Sequence, residues 1–321
     1  MATANWLAEL DGRRVTVEVP ASSANLGAGY DCLGVALALT NEVEVEVRSW
    51  SAGAIELTVD GEGRDELTDD RDNRFVRGLE AALVEARGPL PDGVGWRITM
   101  RNKIPLSRGL GSSAAATVAG VVAADALLGG SLDAATKLRI ATTVEGHPDN
   151  AAAALMGGFV VAAGTSDGVE AVRFDVPRDL RAVLFIPELR LSTGAMRDAL
   201  PKRVPLSDAV ANLGAVGLGV AGLAAGRTDL LRLMTVDRLH EPYRATVYPQ
   251  LPALVGAARA AGALGACLSG AGSTIIAFAD SMAGITRIEA AFAAAAADTD
   301  LPGRISVVQP RNAGARVVAK G

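Results

Sequence analysis

Residues 102–115, NKIPLSRGLGSSAA, bring together the residue types that handle phosphate. Gly109 and Gly111 let a backbone approach a ligand closely, and Ser112 and Ser113 add hydroxyls able to reach a phosphate oxygen or a metal ion. Residues 94–104 before the loop are rich in β-formers, and residues 114–128 after it are a run of Ala, Val and Leu. The order is strand, loop, helix, so the free N–H groups of the helix start favour an anion. Three readings compete. A Walker loop requires lysine after its last glycine, and Ser112 follows Gly111. A dinucleotide fingerprint can be forced onto residues 109–114. It also wants an acid closing a second strand, whereas Asp133 follows Gly129 and Gly130 at a helix end. A glycine-rich turn with nothing bound is the third.

Two further Gly/Ser loops change the balance. Residues 15–39, VTVEVPASSANLGAGYDCLGVALAL, run from an alternating strand through Pro20 into a polar turn and an apolar segment. In residues 263–279, ALGACLSGAGSTIIAFA, Gly270 and Gly272 separate two apolar β-like runs. Three such loops match the three-motif pattern of the GHMP kinase superfamily. Within it, PASSANLGAGYD, IPLSRGLGSSAAA, EGHPDNAAAALMGGF, STGAMRDALP and HEPYR resemble the homoserine kinases over residues 15–278.

The resemblance implies an α+β GHMP kinase fold. Residues 1–168 would form an ATP-binding, ribosomal-S5-like β-α domain and residues 169–321 a ferredoxin-like one, with the active site in the cleft between them. It implies ATP-dependent phosphorylation of L-homoserine in threonine biosynthesis, by a cytoplasmic homodimer using ATP and Mg²⁺. A GHMP kinase of another small hydroxylated metabolite and a non-catalytic nucleotide-binding relative are the rival readings.

By the same resemblance Pro105, Leu106, Ser107, Arg108, Gly109, Leu110, Gly111, Ser112, Ser113, Ala114 and Ala115 surround the phosphates. Asn73, Lys103 and Ile104 lie on the base and ribose side, although Asn73 also suits a helix N-cap. Ser113 and Glu145 are the candidate Mg²⁺ contacts, and the acid that the family usually carries two residues before Glu145 is Thr143 here. Asp31 suits the ammonium of an amino acid, Asn25 the ammonium or the hydroxyl, and Arg197 and Arg244 the carboxylate, which a guanidinium fork grips at two oxygens. His147 and Asn150 line the same pocket, and Thr193 lies near the γ-phosphate. Asn150 falls where sugar and mevalonate kinases of the superfamily place an aspartate. An amide accepts no proton at neutral pH, so this position orients the hydroxyl without acting as a base. Asp149, its helical neighbour, is expected to point elsewhere.

The 321-residue chain is long enough for two domains, and its net charge of −5 argues against a nucleic-acid partner. Cys32 and Cys267 read as packing residues in a reducing compartment, and the N-terminus shows no secretion signal. Two histidines, His147 and His240, exclude a His/Cys metal cluster. Residues 209–226 are uncharged and near the minimum length for a membrane span, but five glycines and Asn212 favour a buried helix of the second domain. The patterning predicts strands at 14–20, 42–48, 54–59, 95–101, 159–163, 182–186, 264–268, 274–278 and 304–309. Helices are predicted at 73–87, 112–128, 133–145, 207–225, 228–236, 251–261 and 284–297.

Overall fold

The structure, a computed structural model, describes residues 6–48 and 52–321. Residues 1–5, part of the segment read for a secretion signal, lie outside the described residues.

Strand β1 (Arg14–Ala24) buries Val15, Val17 and Val19 as their alternation predicts. Its register on β2 (Leu33–Arg48) shifts between Pro20 and Ala21, where proline supplies no N–H to the ladder. The bulge lets one long strand serve two partners. Residues 42–48 of β2 pair with β4 (Gly95–Asn102), and residues 33–35 pair with β5 (Phe159–Thr165). β3 (Ile55–Gly61) lies parallel to β4, and β6 (Gly168–Phe174) hairpins onto β5.

A second, antiparallel sheet has the order β10 (Gly303–Val308), β7 (Arg181–Pro187), β9 (Ile275–Ala279), β8 (Gly265–Leu268). Val183 and Phe185 pack with Leu254, Ile288 and Phe292 of α9 (Leu251–Ala260) and α10 (Met282–Asp298). Alternate residues Ala182, Leu184 and Ile186 join the core of the first sheet. Burial on both faces explains why β7 and β9 read as continuous apolar runs. The chain then returns, and β11 (Arg316–Lys320) closes the first sheet beside β1. β6 and β11, which follow residue 168 almost entirely, thus belong to the first sheet.

Helices α1 (Arg74–Arg87), α2 (Ser112–Leu127), α3 (Ala134–Glu145) and α4 (Asp149–Met156) belong to the first body. α2 is apolar all round and correspondingly buried. It lies against α1 at two glycines: a Cβ on Gly120 would meet the Phe75 carbonyl oxygen at 2.1 Å, and one on Gly78 the Thr117 carbonyl oxygen at 2.2 Å.

Between β7 and β8 run α5 (Thr193–Asp198), α6 (Leu206–Ala224), α7 (Leu231–Met234) and α8 (Glu241–Arg244). The glycine-rich helix α6 is not buried as expected. Gly219 and Gly222 press it onto Met234 and Leu230, but this contact is narrow, and Leu206 and Leu213 remain 79% and 73% exposed. The long helix predicted over 228–236 is broken into a 3₁₀ turn (Thr228–Leu230) and the single turn α7.

Helix propensity alone favours Gly→Ala by about 1 kcal/mol. Gly120→Ala is expected instead to destabilise by about 1–3 kcal/mol, because the methyl collides with the backbone of α1. The urea midpoint measures this, and a raised midpoint would show that α1 yields freely.

Candidate active site

The glycine-rich loop is held at both ends. The Asn41 carboxamide oxygen accepts the N–H groups of Lys103 and Ile104, at 2.8 and 3.0 Å, where β4 ends. Ser107, Gly109 and Gly111 take positive φ values of 53°, 73° and 68°. Glycine is obligatory at two of these. A Cβ on Gly109 would lie 2.1 Å from the Ser269 carbonyl oxygen, and one on Gly111 2.1 Å from the Ser22 hydroxyl. Gly111 caps α2 without a side-chain hydrogen bond, so the first helical N–H groups are left for a ligand.

They open into a cleft of about 240 Å³ lined by Pro105, residues 107–114, Asn25, Asp31, Glu145, His147, Asn150, Thr193, Arg197 and Arg244. Residues far apart in sequence thus converge on one cleft. Ser113 and Thr117 both hydrogen-bond the same Glu145 oxygen, at 3.0 and 2.6 Å, and the Glu145 side chain is 5% exposed. Thr143 is exposed and donates back to the Arg139 carbonyl, so this position lies on the outside of α3. Among the described residues no group of three His, Cys, Asp or Glu is placed to hold a metal ion. One carboxylate beside a serine hydroxyl, facing a phosphate cradle, fits an ion that fills its remaining positions with phosphate oxygens and water.

A neighbouring apolar slot of about 230 Å³ is lined by Val19, Val43, Leu67, Met100, Leu106 and Ala116, with Asn41, Asn73 and Asn102 at its polar edge. Asn73 does cap α1, accepting from the Phe75 N–H at 3.0 Å, and it also borders the slot. Lys103 and Ile104 do not line either space. Ile104 is buried in the core, while the adjacent Asn102 and Leu106 line the slot. Ala115 is likewise a core residue. Arg108 spends its guanidinium on the carbonyls of Pro187 and Glu188, 2.8 Å each, fastening the loop to the end of β7.

At the far end, Arg197 grips Asp31 through both oxygens, at 2.7 and 2.9 Å, and donates to the Tyr30 hydroxyl at 2.8 Å. Arg244 is 1% exposed and bonds the carbonyls of Met196 and Gly270. Asn25 is a structural pin as well as a lining residue. Its amide donates to Gly270 and its oxygen accepts the Asp31 N–H, leaving little for a ligand. Asn150 accepts from the Ser22 hydroxyl at 2.8 Å.

Three residues were not anticipated. Asp149 does line the cleft, buried, with one oxygen holding both His147 Nδ1 (2.8 Å) and the Asn150 N–H (2.7 Å). That hydrogen bond raises the His147 pKa. Arg74 lies between slot and cleft, 3.8 Å from Glu145, at a helix start that reads like any surface arginine. Tyr30 stacks beneath both Arg197 and Arg244; its only sequence signal is adjacency to Asp31.

Beneath Arg244, burial pushes the Glu241 carboxyl up to about 7 and the His240 imidazole down to about 4. Folded Glu241 holds its proton above the unfolded value of 4.5, so its contribution to stability falls as pH rises from about 4.5 to 7. His240 acts oppositely between about 4 and 6.5. Glu241→Gln keeps an acceptor for the Leu268 N–H and removes the buried charge. It is expected to be more stable than the parent at pH 8, by up to about 3 kcal/mol, with the gap closing at pH 5. Thermal unfolding at the two pH values reads this, and a gap independent of pH would reject it.

Residues 73–158 match the GHMP kinases N terminal domain and residues 220–298 the GHMP kinases C terminal domain. The chain is 41% identical to homoserine kinase of Moorella thermoacetica over 94% of its own length and 99% of that protein's. It is 42% identical to that of Caldicellulosiruptor saccharolyticus over 83% of this chain and 84% of the relative. Its fold superposes on the crystal structure of homoserine kinase from Cytophaga hutchinsonii with a TM-score of 0.83 and 32% identity, covering 95% of this chain and 97% of the other. Mevalonate kinase of L. major, at 17% identity and a TM-score of 0.62, shares the fold alone. The chain belongs to the homoserine kinase family of the GHMP kinases.

Proposed function

We propose that this cleft transfers the γ-phosphoryl group of ATP to the side-chain hydroxyl of L-homoserine, giving O-phospho-L-homoserine for threonine biosynthesis. The observation that carries the reading is one cavity with two unlike ends. A helix N-terminus with a serine–glutamate pair suits a nucleotide phosphate, and a pair of arginines with Asp31 suits a zwitterion. A coupled ATPase assay across homoserine, threonine, serine, mevalonate and galactose tests it. Turnover with homoserine alone is expected. Preference for another acceptor would select the rival kinase reading, and nucleotide binding without turnover the non-catalytic one.

In this reading adenine enters the apolar slot beside Asn73, and the α- and β-phosphates lie on the N–H groups of residues 109–113. Ser113 and Glu145 would hold Mg²⁺, which supplies positive charge to the transferring phosphoryl oxygens. Arg74 and Thr193 stand beside the γ-phosphate. The homoserine ammonium takes the place of the Arg197 guanidinium on Asp31, freeing that fork for the carboxylate, with Arg244 as its second clamp. Because Ser22 occupies the Asn150 oxygen, the Asn150 NH₂ donates to the substrate hydroxyl oxygen. That oxygen bonds to the γ-phosphorus as the bond to the β-phosphate oxygen breaks, and its proton passes to the transferred group. The exposed apolar face of α6, with Leu206, Val210, Leu213 and Leu218, is our choice for the contact of a cytoplasmic homodimer.

Ser113→Ala is expected to lower kcat about tenfold to a hundredfold while the homoserine KM stays nearly constant. A variant with full turnover would remove Ser113 from the site. Asn150→Asp is expected to bring no gain at any pH; acceleration would mean that a base was wanted. Arg197→Ala should weaken homoserine about thirtyfold to a thousandfold and leave the ATP KM unchanged, with lysine recovering only part. Equal losses for ATP and all acceptors would instead move Arg197 to the nucleotide end.

A further inference from the structure

His240 is wholly buried, and its two ring nitrogens face partners of opposite character. Nε2 lies 2.8 Å from the carbonyl oxygen of Gly27, which can only accept, so Nε2 carries the proton. Nδ1 lies 3.2 Å from Nη1 of Arg244, a group that can only donate, so Nδ1 presents a lone pair. The geometry therefore requires one neutral tautomer. Doubly protonated imidazole would set its Nδ1–H and a second positive charge against the guanidinium. Burial, which lowers the imidazole pKa to about 4, agrees with this.

The surroundings hold the ring in place. Asp237 accepts the backbone N–H groups of Leu239, His240 and Glu241 at 3.0, 2.7 and 2.7 Å, fixing the turn that presents the imidazole. Asn212 of α6 in turn donates to Asp237 at 2.7 Å. Tyr30 packs on the imidazole with ring centroids 5.3 Å apart, and both arginines lie over the same Tyr30 ring. Arg244 thus has Nη1 and Nε committed to the protein, whereas its Nη2 makes no hydrogen bond among the described residues and is left for the cleft.

We infer that His240, as the Nε2-protonated neutral tautomer, is the positioning residue that aims Arg244 at the substrate carboxylate. The imidazole touches neither substrate nor nucleotide; it sets where the guanidinium of Arg244 stands relative to Arg197. The inference rests on the reading of Arg244 as a carboxylate clamp.

The two nitrogens can be replaced separately. His240→Asn places an amide oxygen where Nδ1 sits and keeps the acceptor for Arg244. His240→Gln places its amide at Nε2, keeping the donor to Gly27 and deleting the acceptor. Losing a hydrogen bond to a buried charged group corresponds to about tenfold to a hundredfold in affinity. His240→Gln should therefore raise the homoserine KM by that factor, with kcat and the ATP KM changing less than about threefold. His240→Asn should restore most of the loss. In an Arg244→Ala background His240→Gln should add less than about threefold, since the group it positions is gone.

A purely structural histidine would depress kcat, both KM values and thermal stability together, and would not distinguish Asn from Gln; that result overturns the inference. So does full additivity in the double variant. Should His240→Gln fail to fold, His240→Asn carries the test: a homoserine KM near the parent's supports the role, and a selective tenfold rise rejects it. An Arg244→Ala enzyme with unchanged homoserine KM would overturn the clamp reading and the inference with it. If Arg244→Ala loses homoserine while His240→Gln keeps it, the inference alone fails.

Discussion

One close approach determines the rest of the site: the backbone of Gly109 against the backbone of Ser269. The Ser269 hydroxyl lies 2.6 Å from the Gly109 carbonyl and 2.8 Å from the Ser23 hydroxyl. The Thr274 N–H reaches the Arg108 carbonyl at 3.1 Å, and the Gly270 N–H reaches that of Ala24 at 3.0 Å. Loop, first sheet and second sheet are thereby joined at one point. Any side chain at residue 109 would drive them apart, since its Cβ has no room. The distance between the phosphate end and the amino-acid end is consequently a backbone property, defined before any side chain touches a ligand. In-line phosphoryl transfer depends on such positioning more than on covalent help.

The amino-acid end solves a different problem, that of two arginines converging on one pocket. Like charges in a partly dry site are tolerated only with compensation. Arg197 is compensated by an acid, Asp31. Arg244, almost fully buried, has carbonyl oxygens, a neutral imidazole and the face of Tyr30 instead. Burial lowers its pKa, the sign expected of a cation short of a full counter-ion. On the proposed reading, a carboxylate entering the cleft would supply that missing charge, and an ammonium on Asp31 would replace the one Arg197 gives up. A zwitterion would settle both residues at once, which in that reading is a physical basis for selecting an amino acid over a sugar or a simple alcohol.

Much of this was legible in the residues because local chemistry and tertiary demand coincide. Gly109, Gly111, Ser112 and Ser113 mark a strand–loop–helix with a vacant helix end, and the structure contains it. The strands with clear alternation are where their patterns put them. What escaped detection depends on partners remote in sequence. Residues 33–41 extend β2 because β1 and β5 lie on either side of them, and β6 and β11 exist through their pairing with β5 and β1. Asn25 became a pin through Gly270, 245 residues away, and Ser22 met Asn150 across 128 residues. Lys103 and Ile104 were expected at the base because they end a strand, but the Asn41 side chain turns that end inward. α6 misled for the opposite reason: an apolar composition states that a face wants covering, not that this chain covers it.

The pairing of Ser22 with Asn150 also bears on how the reaction can proceed without a carboxylate base. With the Asn150 oxygen accepting the Ser22 hydroxyl, the amide NH₂ is the group turned toward the cleft, where in the proposed reading it meets the substrate. A donor to the attacking oxygen would weaken a nucleophile in a mechanism that demanded early proton removal. It is harmless where the phosphoryl group has largely left ADP before the new bond forms, since little negative charge is then required of the attacking oxygen. Asp149, the nearby acid, has one oxygen engaged by His147 and the Asn150 backbone, which makes it an organiser of this turn. The arrangement accords with the proposed mechanism, in which the site aligns a hydroxyl and neutralises phosphate charge and the proton leaves late, to the phosphoryl oxygens themselves.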